Sequence, residues 1–271
     1  MSARRLATKY VEKPWGKDAL PSLFPDGGDR RIGEVWFDGP EGEHPALLVK
    51  YIFTSERLSI QVHPTDAQGV ARGLPGGKSE CWYILHAEPD ARLGVGTLES
   101  LSPDQLRAAA LDGSIERLMD WKRVAPGDFY YVPAGTVHAI GAGISVVEVQ
   151  QNVDVTYRLY DYGRPRELHL DDGVAVSVAQ PYPRAVPHLA TVDAADLLDS
   201  GQAPFTLLLR SHGAGEAAQI GTDGQPGWFV PLTGSGELDG QLWAAGECWL
   251  LDGQARLTCA EPTKMLLATV P

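Results

Sequence analysis

The segment GDFYYVPAGTVH, residues 127 to 138, constrains the fold of this chain more than any other part of its sequence. Phe129 to Val132 are aromatic or β-branched residues, which favour a packed strand. Pro133 and Gly135 follow at once. Because proline cannot donate to a strand ladder and glycine adopts positive φ, we expect the strand to end there in a tight turn. The turn delivers His138 at the start of the next apolar run.

Two further segments place polar side chains on one face of a strand. Gln61 and His63 are separated by one residue, as are Lys78 and Glu80, and alternate side chains of a strand point to the same face. With His138 they offer two imidazoles, one carboxylate and one amide oxygen as candidate metal ligands. This set suits zinc, and it tolerates manganese, iron or cobalt. Because it contains no thiolate, we expect a catalytic site that exchanges a position with water or substrate.

Each candidate ligand also has an ordinary interpretation. His63 is compatible with a surface histidine, Glu80 with a solvent-facing strand residue, and Gln61 with a buried hydrogen-bond partner. The occurrence of all three patterns in one predicted barrel favours the metal site. The remaining histidines lack such a context and are interpreted as ordinary residues, namely His44, His86, His169, His188 and His212.

Composition limits the class of protein. The 30 glycines and 20 prolines favour many short strands joined by turns over long helices. The net charge of −12 disfavours nucleic acid and anionic membranes as partners. A phosphate ligand would therefore require a local basic pocket.

The cysteines and the N-terminal segment predict a soluble, cytoplasmic protein. Cys81, Cys248 and Cys259 form no C-x-x-C pair, which is typical of reduced thiols. The first twenty residues contain no apolar run of the kind found in secretory signals, and no segment approaches the ~18 apolar residues of a membrane span.

Several motifs resemble those of known proteins. The spacing Gly-x5-Pro-x-Gly-x2-His resembles the second motif of the cupin barrels, in which the histidine is a metal ligand inside a small β-barrel. More specifically, the chain resembles the type I mannose-6-phosphate isomerases in their short bacterial form. The matching motifs are QVHP (61–64), GKSECWY (77–83), PAGTVHA (133–139) and EVQQNVDVTYRLYDY (148–162), with KPWG (13–16) and IGEVW (32–36) in support.

The resemblance implies a mainly β fold with two cupin (jelly-roll) barrels, one binding metal and one degenerate. We expect a metal-binding catalytic domain at 1–180, with a small helical insertion at about 98–121 whose first helix starts at Ser102 and Pro103. Three prolines between 180 and 187 predict a linker. We expect 181–271 to form the degenerate barrel, because the stretch 236–252 resembles a cupin half without histidine.

The resemblance also implies the site and the reaction. One zinc ion per chain would be held by Gln61, His63, Glu80 and His138. The reaction would be the interconversion of mannose 6-phosphate and fructose 6-phosphate. By the matching motifs, Lys78, Asp154 and Arg158 would contact the substrate, and Glu148 would lie beside it.

The chemistry explains these residue types. Moving a carbonyl between two carbons through a cis-enediol needs a group that carries a proton and positive charge where the enediolate develops. Glu148 is a hypothetical proton shuttle. Lys78 and Arg158 suit either the developing anion or the phosphate, and arginine is the better bidentate partner of phosphate. An ordinary alternative for Arg158 is a salt bridge with Asp154 or Asp161.

Other functions compete with this interpretation. A non-catalytic, metal-containing cupin that binds a sugar phosphate would keep the ligands but lose the proton shuttle. A cupin oxygenase usually has three histidines or a His-His-carboxylate face, which Gln61 and Lys78 disfavour. A metal-free structural cupin would not need the four ligands. The pattern is compatible with a monomer and with a homodimer.

Overall fold

Strands dominate the structure, a computed structural model that describes residues 3–28, 30–40, 42–222 and 224–270. The first strands are β1 (Ala3–Arg5), β2 (Ala7–Lys17), β3 (Ile32–Asp38), β4 (Leu47–Phe53), β5 (Ile60–Val62), β6 (Glu80–Ala87), β7 (Arg92–Thr97), β8 (Met119–Arg123), β9 (Phe129–Val132), β10 (His138–Ile140), β11 (Ile144–Gln151) and β12 (Tyr157–Tyr160). They are followed by β13 (Ala194–Leu198), β14 (Thr206–His212), β15 (Ala217–Ile220), β16 (Pro226–Pro231), β17 (Ser235–Leu238), β18 (Gln241–Ala244), β19 (Trp249–Asp252), β20 (Ala255–Cys259) and β21 (Thr263–Thr269). The helices are α1 (Asp66–Val70), α2 (Pro103–Asp112), α3 (Ile115–Leu118) and α4 (Leu170–Val176), with a 3-10 turn at Pro25–Gly27.

The strands form two pairs of antiparallel sheets. In the first pair, sheet I has the order β2-β3-β4-β11-β6-β9 and sheet II the order β12-β5-β10-β7-β8. In the second pair, sheet III has the order β1-β19-β16-β21-β14-β13 and sheet IV the order β15-β20-β17-β18. The predicted mainly β fold of two double-sheet barrels is confirmed.

The buried side chains show how the layers stack. Sheets I and II enclose one apolar cluster, which includes Trp82, Leu93 and Ile140. The other face of sheet I packs against sheet III in the largest cluster, where Tyr51 and Trp228 are both buried. Sheets III and IV enclose a third cluster, and a fourth lies between sheet II and the helices. The order of layers is therefore helices, II, I, III, IV.

Sheet I is buried on both faces, and its strands alternate between two environments. Every residue of β4 is buried. Leu47, Val49 and Tyr51 belong to the cluster shared with sheet III, whereas Ile52 faces sheet II. Because the period of a strand is two, Lys50 also points into the first barrel. Its burial requires a partner for its charge.

The helical insertion lies where the sequence predicts it. Ser102 caps α2, with its side chain accepting a hydrogen bond from the backbone N–H of Gln105, and the Gln105 side chain reciprocates. Pro103 occupies the first turn, and the helix ends at Gly113 with a φ of 78°. The capping box and the left-handed C-terminal glycine follow the rules for helix ends. None of the described helices has the length and apolar character that a membrane-crossing helix needs.

The first strand of the chain pairs with the last third of it. Ala3 to Arg5 of β1 lie beside Trp249 to Leu251 of β19 in sheet III. Strand β2 continues directly into sheet I. The chain thus contributes its N-terminal residues to one pair of sheets and then crosses to the other. The division of the chain near residue 180 stays a prediction, and its outermost residues 1, 2 and 271 lie outside the described part.

The core shared by sheets I and III should make the two pairs of sheets unfold together. Leu207 of β14 is fully buried in that core. We expect Leu207→Ala to lower the free energy of unfolding by about 2–5 kcal/mol, because it leaves a cavity that the packed sheets cannot close. Urea unfolding followed by tryptophan fluorescence and by circular dichroism measures the effect. Leu242→Ala, at a side chain that is 79% exposed, is the control. Two separate transitions, only one of them shifted, would contradict the expectation.

Candidate metal centre

Three strands and one loop bring the predicted ligands together. Gln61 lies on β5 and His138 opens β10, and the two residues are direct partners in sheet II. Glu80 is the first residue of β6 in the facing sheet I. His63 follows β5 and is, like Glu80 and His138, only 1% exposed.

The spacing of the donor atoms fits a metal ion. Nε2 of His63 lies 3.3 Å from Oε2 of Glu80, and Nε2 of His138 lies 3.3 Å from Oε1 of the same carboxylate. Two donors bound to zinc at about 2.1 Å in a tetrahedral arrangement lie about 3.4 Å apart. Within the described residues, His63, Glu80 and His138 are the one group of histidine, cysteine and carboxylate side chains close enough to hold a metal ion.

The protonation of these side chains also suits a metal. Nδ1 of His138 donates to the carbonyl of Thr136 at 2.8 Å, which leaves a lone pair on Nε2. Burial lowers the pKa of His138, and it lowers the pKa of His63 to about 3, so both imidazoles are neutral. Burial alone would raise the pKa of Glu80, but the positive charge of Lys78 opposes it, and that pKa lies well below its usual range. The site therefore offers an ionised carboxylate between two neutral imidazoles.

Gln61 completes the donor set. Its amide nitrogen lies 3.3 Å from Nε2 of His138, and its oxygen accepts a hydrogen bond from the Ser59 hydroxyl at 3.1 Å. Rotating the amide by half a turn exchanges the two atoms and aims the oxygen at the donors. The Ser59 hydroxyl both donates and accepts, so it remains satisfied in either orientation.

Lys78 lies beside the donors, but it belongs to a loop and not to a strand. Its Nζ is 3.2 Å from Nε2 of His63 and 3.3 Å from Oε2 of Glu80. The strand predicted through Lys78 was wrong, since β6 begins only at Glu80. A side chain at Gly77 would meet the backbone of Thr65 and Asp66 at 2.4 Å, so only glycine lets the loop pass this close to α1.

A cavity of about 90 Å³ opens beside the donors. Six of the predicted site residues line it, namely Gln61, Lys78, Glu80, His138, Glu148 and Arg158. Lining residues that the sequence analysis did not assign to the site include Lys13, Glu34, Thr156 and Arg166.

Asp154 is a predicted site residue that neither lines this cavity nor belongs to the group of metal donors. Its side chain is exposed and lines a separate surface depression with Asp66 and Gln151. The matching motifs placed Asp154 at the substrate with Arg158, but β12 begins only at Tyr157, so the two residues do not share a strand. The period of two does not extend through the turn before it.

Glu148 is a second buried carboxylate on the cavity wall. Its Oε2 accepts a hydrogen bond from Nε1 of Trp82 at 3.1 Å, and its Oε1 lies 3.5 Å from Nζ of Lys50. Burial raises the pKa of Glu148, and the negative charge of Glu80 raises it further, whereas Lys50 opposes the shift. Glu148 is therefore poised to hold a proton more readily than an exposed glutamate.

The group of side chains that fixes Lys50 was not predicted from the sequence. Nζ of Lys50 lies 4.6 Å from the centre of the Trp36 ring, and Nε1 of Trp36 donates to Glu34 at 2.6 Å. Lys13 approaches the same carboxylate at 3.4 Å. Burial alone would lower the pKa of Lys50, but Glu148 and Glu34 outweigh it, so Lys50 stays charged. The signal was present as one lysine within the apolar run of β4.

Two arginines lie at another part of the cavity wall. Arg158 forms no ion pair with a described carboxylate, and its Nη1 donates to the backbone carbonyl of Glu167 at 3.0 Å. Burial lowers the pKa of Arg158, and the positive charge of Arg166 lowers it further. The predicted alternative, a bridge from Arg158 to Asp154 or Asp161, is wrong for the described residues, and Asp161 binds Arg164 and Arg166 instead.

The sequence is similar to those of several curated proteins. No family model matches the chain. Mannose-6-phosphate isomerase ManA of Bacillus subtilis is 40% identical over 158 residues, which are 54% of this chain and 50% of the relative. Probable mannose-6-phosphate isomerase GmuF of the same organism is 34% identical over 195 residues, 67% of this chain and 59% of the relative. The chain spans about half the length of the curated relatives it matches.

Solved structures extend the likeness to the whole fold. The mannose 6-phosphate isomerase of Bacillus subtilis superposes with a TM-score of 0.78 at 26% identity, covering 99% of both chains. The chain is a relative of the mannose-6-phosphate isomerases. A putative mannosephosphate isomerase of Archaeoglobus fulgidus, at 17% identity, has a TM-score of 0.73 over 99% of this chain and 97% of its own. A zinc-bound mannose 6-phosphate isomerase, at 14% identity, has a TM-score of 0.72 over 100% of both chains. These two share the fold.

Removing the central carboxylate should abolish tight metal binding. We expect Glu80→Gln to weaken zinc binding by more than about 100-fold, because it replaces an ionised ligand between two neutral imidazoles with an uncharged amide. Zinc content after dialysis and competition with a chromogenic chelator measure the loss. Glu34→Gln is the matched control, since it makes the same change on the cavity wall away from the donors. Equal zinc content in the wild type and Glu80→Gln would contradict the assignment.

The pair of Lys50 and Glu148 should behave as one buried unit. We expect Lys50→Met alone to destabilise the protein by about 3–5 kcal/mol, because it leaves a buried carboxylate without its cation. Adding Glu148→Gln should recover most of that loss. Chemical unfolding of the four proteins in this cycle measures the coupling. Lys9→Met is the control, since Lys9 lies 5.1 Å from the same Trp36 ring but is exposed. Additive losses would show that the two side chains do not depend on each other.

Proposed function

We propose that the protein is a metal-dependent isomerase that interconverts mannose 6-phosphate and fructose 6-phosphate, with zinc as its metal. The observation that carries the proposal is that one cavity holds a donor set for a metal ion, a second buried carboxylate and two arginines. The relatedness to proteins named mannose-6-phosphate isomerase supports the same reaction.

The donors suit one zinc ion per chain. Gln61, His63, Glu80 and His138 would hold it through one amide oxygen, two imidazole nitrogens and one carboxylate. When bound, zinc supplies a Lewis acid that stabilises negative charge on the oxygens of the substrate. The remaining chemistry belongs to side chains of the cavity wall.

Glu148 is the proposed proton carrier. An aldose–ketose conversion through a cis-enediol removes a proton from one carbon and returns it to the next, and one carboxylate between both carbons can do both. The raised pKa of Glu148, caused by burial and by Glu80, brings the group closer to the operating pH of a general base. Trp82 and Lys50 each hold one carboxylate oxygen, so the group is oriented before substrate arrives.

The two cationic residues of the prediction receive separate roles. Lys78 lies against the metal donors, so we assign it to the negative charge that develops on the reacting oxygens. Arg158 has no ion-pair partner among the described carboxylates and lies near Arg166, so we assign it to the phosphate. A guanidinium binds phosphate through two parallel hydrogen bonds, which suits this role. The substrate-binding role of Asp154 stays a prediction that its exposed position does not support.

The proposed setting is the cytoplasm, with a small sugar phosphate as the ligand. The net charge of −12 supports the proposal that neither nucleic acid nor an anionic membrane is a partner. A dianionic substrate must then be attracted locally, and the cavity offers Lys78, Arg158 and Arg166 for that purpose.

A direct assay tests the reaction. We expect the purified chain to convert mannose 6-phosphate into fructose 6-phosphate, to lose this activity after chelation and to regain it with zinc. A folded, zinc-loaded protein that binds the sugar phosphate without converting it would instead support the non-catalytic binding function.

A substitution tests the proton carrier. Glu148→Gln keeps the shape of the side chain but removes the base, so turnover should fall by about 10²–10⁴-fold at unchanged zinc content. Exchange of solvent deuterium into the product should fall in parallel, because it reports the same proton transfer. Turnover within about twofold of the wild type would exclude the role, since a general base contributes far more than that.

A further inference from the structure

His169, which the sequence analysis interpreted as an ordinary histidine, contacts the backbone of a cavity residue through two groups. Its backbone N–H donates to the carbonyl of Arg158 at 2.8 Å. Its Nδ1 accepts a hydrogen bond from the backbone N–H of Arg158 at 3.2 Å. One residue therefore satisfies both backbone polar groups of Arg158.

Arg158 lies on a strand at the edge of its sheet. Strand β12 is the outermost strand of sheet II, with β5 as its one neighbour in the sheet. Opposite Arg158 on β5 is Gln61, and the register shifts between Arg158 and Tyr160. An edge strand leaves a row of backbone groups without ladder partners, and an irregular register weakens its attachment further. Arg158 thus lies on an edge strand with one neighbour in its sheet.

The use of an imidazole as the acceptor also has a structural cause. An added strand would accept the N–H of Arg158 with its own backbone carbonyl. The carbonyl of His169 instead accepts the N–H of Gly173 at 2.7 Å at the start of α4. The side chain supplies the missing acceptor instead. His169 makes no side-chain hydrogen bond that caps α4, so its ring has no competing role at the helix end.

Residues next to His169 also contact the side chain of Arg158 and place a second arginine beside it. The carbonyl of Glu167 accepts from Nη1 of Arg158 at 3.0 Å. Arg166 lines the cavity, and Asp161 binds it through two hydrogen bonds at 2.6 and 2.7 Å. The segment 166–169 thus holds the backbone of Arg158, orients its guanidinium and carries the second guanidinium.

We infer that His169 is a positioning residue for the anion site, which clamps Arg158 at the sheet edge so that its guanidinium meets the phosphate of the substrate beside Arg166. This inference rests on the proposed function for the identity of the substrate. The clamp itself rests on the two hydrogen bonds, and it predicts how any phosphate-like anion binds.

Three substitutions of His169 separate the clamp from a general structural role. In His169→Asn the amide oxygen lies the same number of bonds from Cα as Nδ1, so the acceptor is kept. His169→Gln moves the acceptor one bond outward, and His169→Leu removes it. We expect KM for mannose 6-phosphate to rise about tenfold or more in the Leu and Gln variants with kcat within about threefold of the wild type, because lost ground-state binding raises KM alone. The Asn variant should restore KM to within about twofold, since it keeps the hydrogen bond that fixes the arginine.

Two further measurements make the outcome decisive. Calorimetric titration with inorganic phosphate should show weaker binding in the Leu and Gln variants than in the wild type and the Asn variant, and this holds whether or not the chain is an isomerase. In an Arg158→Met background, His169→Leu should change phosphate binding no further. His188→Leu, at an exposed histidine paired with Asp128, is the matched control.

The outcomes distinguish a failure of the proposed isomerase function from a failure of the His169 clamp. A wild-type chain that binds phosphate but does not isomerise would overturn the proposed function and leave the clamp open to the calorimetric test. Equal phosphate binding in the Leu, Gln and Asn variants, or an additive effect of His169→Leu without Arg158, would overturn the clamp. Melting temperatures and zinc content of all variants show whether a loss reflects unfolding instead.

Discussion

The structure depends on one buried carboxylate. Glu80 is ionised although it is 1% exposed, and the cost of removing its charge from water must be met by partners. Lys78 and two imidazoles surround it, but the imidazoles are neutral, so among the described residues Lys78 is the one full positive charge at its oxygens. A divalent cation between the same donors would supply the charge that the protein itself leaves out. The burial of Glu80 is thus a physical reason for the metal site and not only its location.

The stacking of the sheets makes this burial possible. Sheet I lies between sheet II and sheet III, so the side chains on both of its faces are packed. A carboxylate at the start of β6 cannot turn to solvent, and neither can Glu148 on β11 or Lys50 on β4. Interiors packed at this density do not relax easily around a charge. The apolar face shared with sheet III therefore fixes the positions of ionisable groups on the opposite face of the same strands.

The sequence predicted those features that depend on local rules. The helix start at Ser102 and Pro103 and the turn before His138 each follow from nearby residues alone. The metal donors could be grouped because Gln61, His63 and Glu80 lie in recognisable motifs. Lys50 and Glu34 were missed because their contacts join strands that are distant in sequence. Strand parity failed for Lys78, since it applies only within a strand and Lys78 lies just outside one.

The anion site at Arg158 is held in place differently from the metal donors. The proposed metal donors and Glu148 lie on or beside strands that have a neighbour in the sheet on both sides. Arg158 lies on the edge strand β12, where one side has no neighbour in the sheet. An arginine there could reach several positions, and binding a substrate would then have to order it at a cost in affinity. A backbone clamp from His169 and a carbonyl from Glu167 remove that cost before the substrate arrives. Elsewhere in the site, hydrogen bonds from neighbouring strands hold the backbone in place. On the edge strand β12, the hydrogen bonds with His169 and Glu167 take over that role for Arg158.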